Sequence, residues 1–307
     1  MKHARRLTAG TLAAGALALT LAVTGCAQSV DPIERLGRKA TADVTDGQDG
    51  RGGKNGNDGG GPKAARPHAS PSPSAPRPGA HKAWGLDRPL EFAPKPAGRP
   101  ALPAAAPGRV PVVDRIPVPA GEKTVFLTFD DGAERDPQFL KMAADLRLPI
   151  SMFLTHSVAG PGYDHFGRLR DLGTGSAIQN HSLTHPNLRT LPYAAQKAEI
   201  CGQQEQLQKR FGERPRLLRP PFGNYNDDTL RAAKDCGLSS VVLWRASMQI
   251  NDLRYAEGDA LRPGDIVLAH FRGPSELKGA TLTEMTTRML RRIQEQGYRI
   301  GVLEDYL

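Results

Sequence analysis

Thr124-Val125-Phe126-Leu127-Thr128-Phe129-Asp130-Asp131-Gly132 is an apolar run, rich in β-branched and aromatic residues, that ends on two carboxylates and a glycine. Its first six residues have the composition of a buried strand, and the Asp-Asp-Gly marks where that strand stops. Working outward, residues 150–154, 177–179, 217–219, 240–243, 266–269 and 299–302 repeat the pattern as short apolar strands. Between them, 136–146, 166–172, 192–211, 228–236 and 282–296 carry helical spacing. Pro192 opens one of these helices, and Gly237 and Gly297 stop two others. Strands and helices alternating at this spacing predict a parallel sheet, and about seven such units suit a (β/α) barrel better than an open sheet.

Polar residues gather at one place in that pattern. Asp130 and Asp131, His181, Arg219, Trp244 and His270 each fall at the C-terminal end of a predicted strand, or within a residue or two of it. That rim is where (β/α) barrels build their chemistry. Taken singly, each motif has a plain explanation. An Asp-Asp-Gly turn is commonly solvated. A histidine that ends a strand, as His270 does, is commonly structural, and Arg219 in Arg219-Pro220-Pro221-Phe222-Gly223 could be a surface arginine on a proline turn. His181 and His185 stand four apart in His181-Ser182-Leu183-Thr184-His185. On a helical turn both imidazoles would project on one face, at a spacing suited to one metal. Adjacent carboxylates resist burial without a cation, so the two motifs support each other. One Asp and two His leave coordination positions open for water, the arrangement of a catalytic rather than a structural zinc site. A guanidinium on the same rim can keep the other carboxylate ionised.

The chain has 307 residues and a formal charge of +9, unevenly spread. Residues 27–120 hold 14 basic and 9 acidic residues, whereas 121–307 hold 24 basic and 23 acidic. The folded part is therefore nearly neutral, and no basic stripe is interleaved with aromatics. This argues for a basic tether near an anionic surface and against nucleic-acid binding. Lys2, Arg5 and Arg6 precede an Ala/Leu-rich stretch ending in Val23-Thr24-Gly25-Cys26. Residues 1–25 have the layout of an export signal and are similar to a bacterial lipoprotein signal in which Cys26 is lipidated; an ordinary cleaved signal is the alternative. Residues 26–118, rich in Gly, Pro, Ala and Ser, are expected to form a disordered tether, with Trp84, Leu86, Leu90 and Phe92 as the residues able to dock on the domain. Residues 119–307 are the expected folded domain, read as a monomer. Cys201 and Cys236 could pair in an exported protein or stay as two buried thiols.

As a set, Thr128-Phe129-Asp130-Asp131-Gly132, the His181 and His185 pair, Arg219-Pro220-Pro221-Phe222-Gly223 and Leu268-Ala269-His270 resemble the polysaccharide deacetylases of carbohydrate esterase family 4, the NodB homology domain. The resemblance covers about residues 121–307, and Met152-Phe153, Asn180, Pro186 and Gly297-Tyr298 agree with it. It implies a distorted (β/α) barrel, a divalent metal, usually zinc, and hydrolysis of N-acetyl or O-acetyl groups on glycans. It implies Asp130 as general base, Asp131, His181 and His185 as metal ligands, Arg219 as the residue that positions the base, and His270 as general acid. Pro221, Phe222, Trp244 and Leu268 would line the substrate site, with the backbone amide near Phe222 helping to stabilise an oxyanion. An exported, membrane-anchored enzyme facing the wall would meet an N-acetylated glycan, peptidoglycan or chitin-like.

One motif departs from the family. Members carry an Asp that tunes the acid histidine, in a segment after the fifth strand. Here that segment reads Trp244-Arg245-Ala246-Ser247-Met248-Gln249-Ile250-Asn251-Asp252-Leu253, with Ser247 in the usual place of the Asp and Leu253 where a Trp is expected. Either Asp252 substitutes from a shifted loop, or the acid histidine has no carboxylate partner of this kind. A catalytically impaired carbohydrate-binding lipoprotein of the same fold is the alternative reading.

Overall fold

The computed structural model describes residues 79–307; the segments expected to form an export signal, a lipidated Cys26 and the first part of a tether lie outside the described residues. The strands are β1 Val112–Val113, β2 Thr124–Asp131, β3 Ile150–Leu154, β4 Ala177–Asn180, β5 Leu217–Leu218, β6 Ser240–Val242, β7 Ala246–Met248, β8 Leu253–Tyr255, β9 Ile266–His270 and β10 Arg299–Gly301. The longer helices are α1 Pro137–Leu146, α2 Tyr163–Arg170, α3 Tyr193–Phe211, α4 Asp227–Asp235 and α5 Leu282–Glu295. Along the sheet the order is β1-β6-β5-β4-β3-β2-β9-β7-β8, with β10 paired to the start of β2. Every strand pairing is parallel except the β7–β8 hairpin. The expected strands are all present, and β1, β7 and β8 extend the sheet. Its two ends do not pair with each other, so it is a curled half-barrel rather than a closed ring.

β2 is buried along its whole length. Alternate residues of a strand face opposite sides, and β2 uses both sides. Val125, Leu127 and Phe129 pack against the helices with Phe139, Met142 and Leu290. Phe126 points the other way, into an inner cluster with Phe153, Leu217, Val242, Ile266, Leu303 and Tyr306. Phe129, Phe139, Phe166 and Phe271 stack their rings at 5.1–5.7 Å. Phe129 precedes Asp130 and Phe271 follows His270, so this aromatic cluster anchors both rim positions from behind. Gly132, at φ 87°, turns the chain away from β2; a Cβ there would come within 2.6 Å of the Ala159 Cβ. The Asp-Asp-Gly sequence is thus a packed strand end, not a solvated turn.

The expected tether boundary at residue 118 does not hold. Residues 79–118 lie along the domain. Trp84 donates to the Asp145 carboxylate (3.0 Å), Leu86 and Leu90 enter the helix-side core, and Phe92 bridges to Ile300. Val112–Val113 pairs with β6, Ile116 is buried, and Arg115 forms an ion pair with Asp265 (2.7 Å). These anchors are spaced irregularly among prolines and glycines, so they carry no helical or strand period, yet each fills a site the domain provides. Cys201 and Cys236 are joined as a disulfide, tying α3 to the end of α4. Among the described residues no helix is long and apolar enough to cross a membrane.

Candidate active site

The parallel strands end together, and the side chains that meet there come from β2, the loop after β4, the loop after β5, and β9. Adjacent residues on a strand normally face opposite ways. Asp131 escapes that rule because its φ is 74°, and both carboxylates reach one imidazole. Asp131 Oδ1 is 3.5 Å and Asp130 Oδ2 is 3.7 Å from His181 Nε2. His185 Nε2 lies 3.4 Å from the same Asp131 oxygen, and His270 Nε2 lies 4.0 Å from Asp131 Oδ2. Of these groups His270 is the most open to solvent, its side chain 18% exposed against 1% for Asp131.

The two carboxylates are treated differently. Asp130 accepts a hydrogen bond from the Arg219 guanidinium at 2.7 Å. Arg219, fully buried, also donates to Thr128 Oγ1 (2.8 Å) and to the carbonyls of Val242 and Leu243 (3.2 Å each). Its plane lies over Phe153, 4.2 Å from the ring centre, with Trp244 on another side at 5.6 Å. Asp130 is therefore neutralised by a fixed cation. Burial pushes its carboxyl above the ordinary value, while the Arg219 and His181 charges pull the other way.

Asp131 has no such cation. Both its oxygens are buried and neither has a hydrogen-bond partner among the described residues. Burial opposes its ionisation, but the surrounding imidazoles, His181 foremost, hold it well below the usual carboxylate range. A buried, ionised carboxylate facing imidazole nitrogens without hydrogen bonds is the environment a metal ion would complete. The donor set fits that reading. The ligand atoms of Asp131, His181 and His185 all lie within 4.8 Å of one another. Bonds of about 2.0–2.1 Å in tetrahedral geometry require donors roughly 3.3 Å apart, close to the two Asp131–imidazole separations.

The histidines are oriented for coordination, and a metal would displace the proton that the carboxylates favour on His181. His181 Nδ1 lies 2.6 Å from the Arg219 carbonyl, which can only accept, so Nδ1 carries the proton and a neutral ring leaves Nε2 its lone pair. Burial disfavours its protonation, but the Asp130 and Asp131 charges raise it overall. Burial and the His181 charge push His185 down to about 4, which keeps it neutral at pH 7. The expected helical turn under this pair is absent. Residues 181–185 form an irregular loop, with Ser182 at φ 67° and His185 at φ 63°. The imidazoles meet because the loop reverses, not because a helix aligns them.

The remaining predicted residues surround this centre. Pro221 is buried, and Phe222, at φ 61°, sets its ring 4.8 Å from that of His185. Gly223 lies so close to Trp244 that a Cβ would come within 2.9 Å of the indole. Leu268 is buried on β9, in register with Thr128 and Ser247. The Ser247 hydroxyl accepts from Gln249 (3.0 Å), and the Asp252 carboxylate pairs with Arg254 (3.1 Å) on the exposed hairpin turn. Asp252 is thus committed to its own hairpin. Thr128 bridges Arg219 and the Val267 carbonyl, a role its position inside a buried strand gave no reason to expect.

This parallel, curled α/β sheet with its site at the strand ends is the architecture of the NodB-like deacetylases. It matches the solved structure of the Bc1960 peptidoglycan N-acetylglucosamine deacetylase with a TM-score of 0.51, at 21% identity, over 61% of this chain and 90% of that one. The polysaccharide deacetylase family profile matches residues 118–241. The uncharacterized protein SCO4760 of Streptomyces coelicolor is 50% identical over 214 residues, which are 69% of this chain and 83% of that protein. The peptidoglycan-N-acetylmuramic acid deacetylase PdaA of Bacillus subtilis is 28% identical over 200 residues, 61% of this chain and 72% of PdaA. The chain belongs to the polysaccharide deacetylase family.

Proposed function

We propose that the protein is a metal-dependent deacetylase that removes acetyl groups from an N-acetylated cell-envelope polysaccharide and releases acetate. The observation that carries the reading is the Asp131 carboxylate, buried and without hydrogen bonds, facing His181 and His185 beside a separately neutralised Asp130. Asp131, His181 and His185 would hold a divalent cation, zinc by its donor set, which supplies Lewis-acid polarisation of an amide carbonyl and makes water more acidic.

The protein's own groups then divide the proton transfers. Asp130, oriented by Arg219, takes a proton from the attacking water as its oxygen bonds to the acetyl carbon. The amide near Phe222 donates to the oxyanion that develops on the former carbonyl oxygen. His270, on the solvent-facing side, gives a proton to the departing nitrogen as the carbon–nitrogen bond breaks. The products are acetate and a free sugar amine, and the two transfers leave no net proton on the protein once Asp130 and His270 re-equilibrate with solvent. Leu268 and Trp244, with Pro221 and Phe222, shape the pocket.

PdaA acts on peptidoglycan, and the signal-like segment ending at Cys26 supports export with a lipid anchor at the membrane, facing the wall. Wall glycan is the substrate we favour. The test is acetate release by the full chain with added zinc, on N-acetylglucosamine oligomers, wall fragments and acetylated xylan, with Asp130→Asn as control. Release from one class, lost in the variant, supports the assignment. Bound zinc with no acetate from any substrate would favour the carbohydrate-binding alternative.

A further inference from the structure

The loop that carries both histidines has no helix to hold it, and two of its non-glycine residues sit in the left-handed region. Each such residue costs of order 1 kcal/mol, so the surroundings must impose the conformation. The backbone N–H groups show what does. His181 donates to the Leu154 carbonyl (3.2 Å), Ser182 to Asn180 Oδ1 (2.9 Å), and His185 to Ser182 Oγ (3.0 Å). The two between them, Leu183 and Thr184, converge on one carboxylate from α3. Leu183 N and Thr184 N donate to Glu199 Oε2 at 3.1 and 2.8 Å, and the Thr184 hydroxyl donates to Oε1 at 2.7 Å. Leu183 N also reaches the Glu199 carbonyl (3.1 Å).

α3 is itself fixed to the rim. Asn180 Nδ2 donates to the Ile200 carbonyl (3.0 Å) and to Gln204 Oε1 (3.1 Å), and Gln203 donates to the Leu154 carbonyl. The disulfide at Cys201 ties the same turn to α4. Glu199 is therefore a rigid acceptor beneath a strained loop.

We propose that Glu199 is a positioning residue for the metal site: its carboxylate sets the backbone of residues 183–184 so that the His185 imidazole meets Asp131, and it thereby sets metal affinity. The proposal rests on the metal-site reading above. Partners of this kind, one step removed from the ligands, typically change affinity by about 10–100-fold. An alanine there removes the acceptor of both backbone N–H groups and of the hydroxyl, whereas a glutamine could keep all three bonds, its oxygen accepting from both N–H groups and its NH2 donating to the hydroxyl.

The test is zinc affinity of the full chain, by competition with a chromophoric chelator, for wild type, Glu199→Ala and Glu205→Ala. Glu205 is an exposed residue on the same helix. The expected result is binding at least about 10-fold weaker in Glu199→Ala and unchanged in Glu205→Ala, with an altered visible spectrum of the cobalt-loaded Glu199 variant. Affinity within twofold of wild type would overturn the proposal. Thr184→Ala, which deletes one exposed hydroxyl, keeps the question open to refutation should Glu199→Ala misfold; it should weaken binding by about threefold, and unchanged affinity would count against the proposal. Wild type that fails to bind zinc overturns the metal-site reading itself and this proposal with it.

Discussion

Replacing Arg219 by methionine is expected to cost the metal-free protein about 3–5 kcal/mol. Methionine preserves the length of the stem and its packing on Phe153. What disappears is the cation at 2.7 Å from Asp130, whose side chain is only 3% exposed. Removing one side of a buried ion pair strands the other charge, and that stranded carboxylate accounts for most of the loss. The Val242 and Leu243 carbonyls also lose their donor, at about 1 kcal/mol each or less, within the same range. For a domain of this size the thermal midpoint should fall by roughly 10 °C. Asp130→Asn in the same background removes the stranded charge. The double variant should therefore be more stable than Arg219→Met by at least about 2 kcal/mol. Urea unfolding followed by far-ultraviolet circular dichroism on chelator-treated protein reads these differences without ligand stabilisation. A loss below about 1 kcal/mol in the single variant, or a double variant no more stable than the single, would refute the reasoning that Arg219 acts by neutralising Asp130.

Asp131→Asn should lower zinc affinity by at least about 100-fold, and it should also make the metal-free protein less stable at pH 7, because the folded state favours the ionised Asp131 through His181, His185 and His270. Equal zinc binding would refute its role as a ligand. Opening the disulfide through Cys201→Ala/Cys236→Ala releases a loop closed across 35 residues and should cost about 4 kcal/mol by chain entropy; a change under about 1 kcal/mol in urea unfolding would show that the bond constrains little. His165 supplies a pH dependence. Burial, aided by Arg168, pushes it down to about 4 from an ordinary 6.5. Below pH 6.5 the unfolded chain binds a proton that the folded one refuses, so stability is full above that pH and drains away down to about 4, by at most about 3 kcal/mol. His165→Leu should shrink the stability difference between pH 7 and pH 4.5 by about 2 kcal/mol, and an unchanged difference would exclude His165 as its source.

How much of this was legible depended on how local each feature is. The Thr124–Asp131 strand announces itself because a strand buried on both faces needs an unbroken apolar run, and its carboxylates stand out at the end of it. His270 and Arg219 are legible in the same way, as polar residues that close apolar strands. The outer segments are not. Leu86, Leu90 and Ile116 bury themselves singly between prolines and glycines, and no periodicity records a contact made with residues far along the chain. The β7–β8 hairpin is built of three-residue strands of mixed character, too short for alternation to show. The spacing of His181 and His185 suggested a helical turn, and the structure replaced it with a loop braced by a glutamate on another helix.

The sequence by itself determined the class of fold, the side of the sheet that bears the site and the identities of the residues gathered there, because hydrophobic period and strand-end polarity are carried residue by residue along the chain. Which carboxylate is neutralised by an arginine and which faces only imidazoles was decided only in three dimensions. Asp130 and Asp131 are neighbours of identical chemistry. They differ because Arg219, 89 positions away, reaches only one of them, and because a left-handed backbone angle at Asp131 turns the other towards two imidazoles.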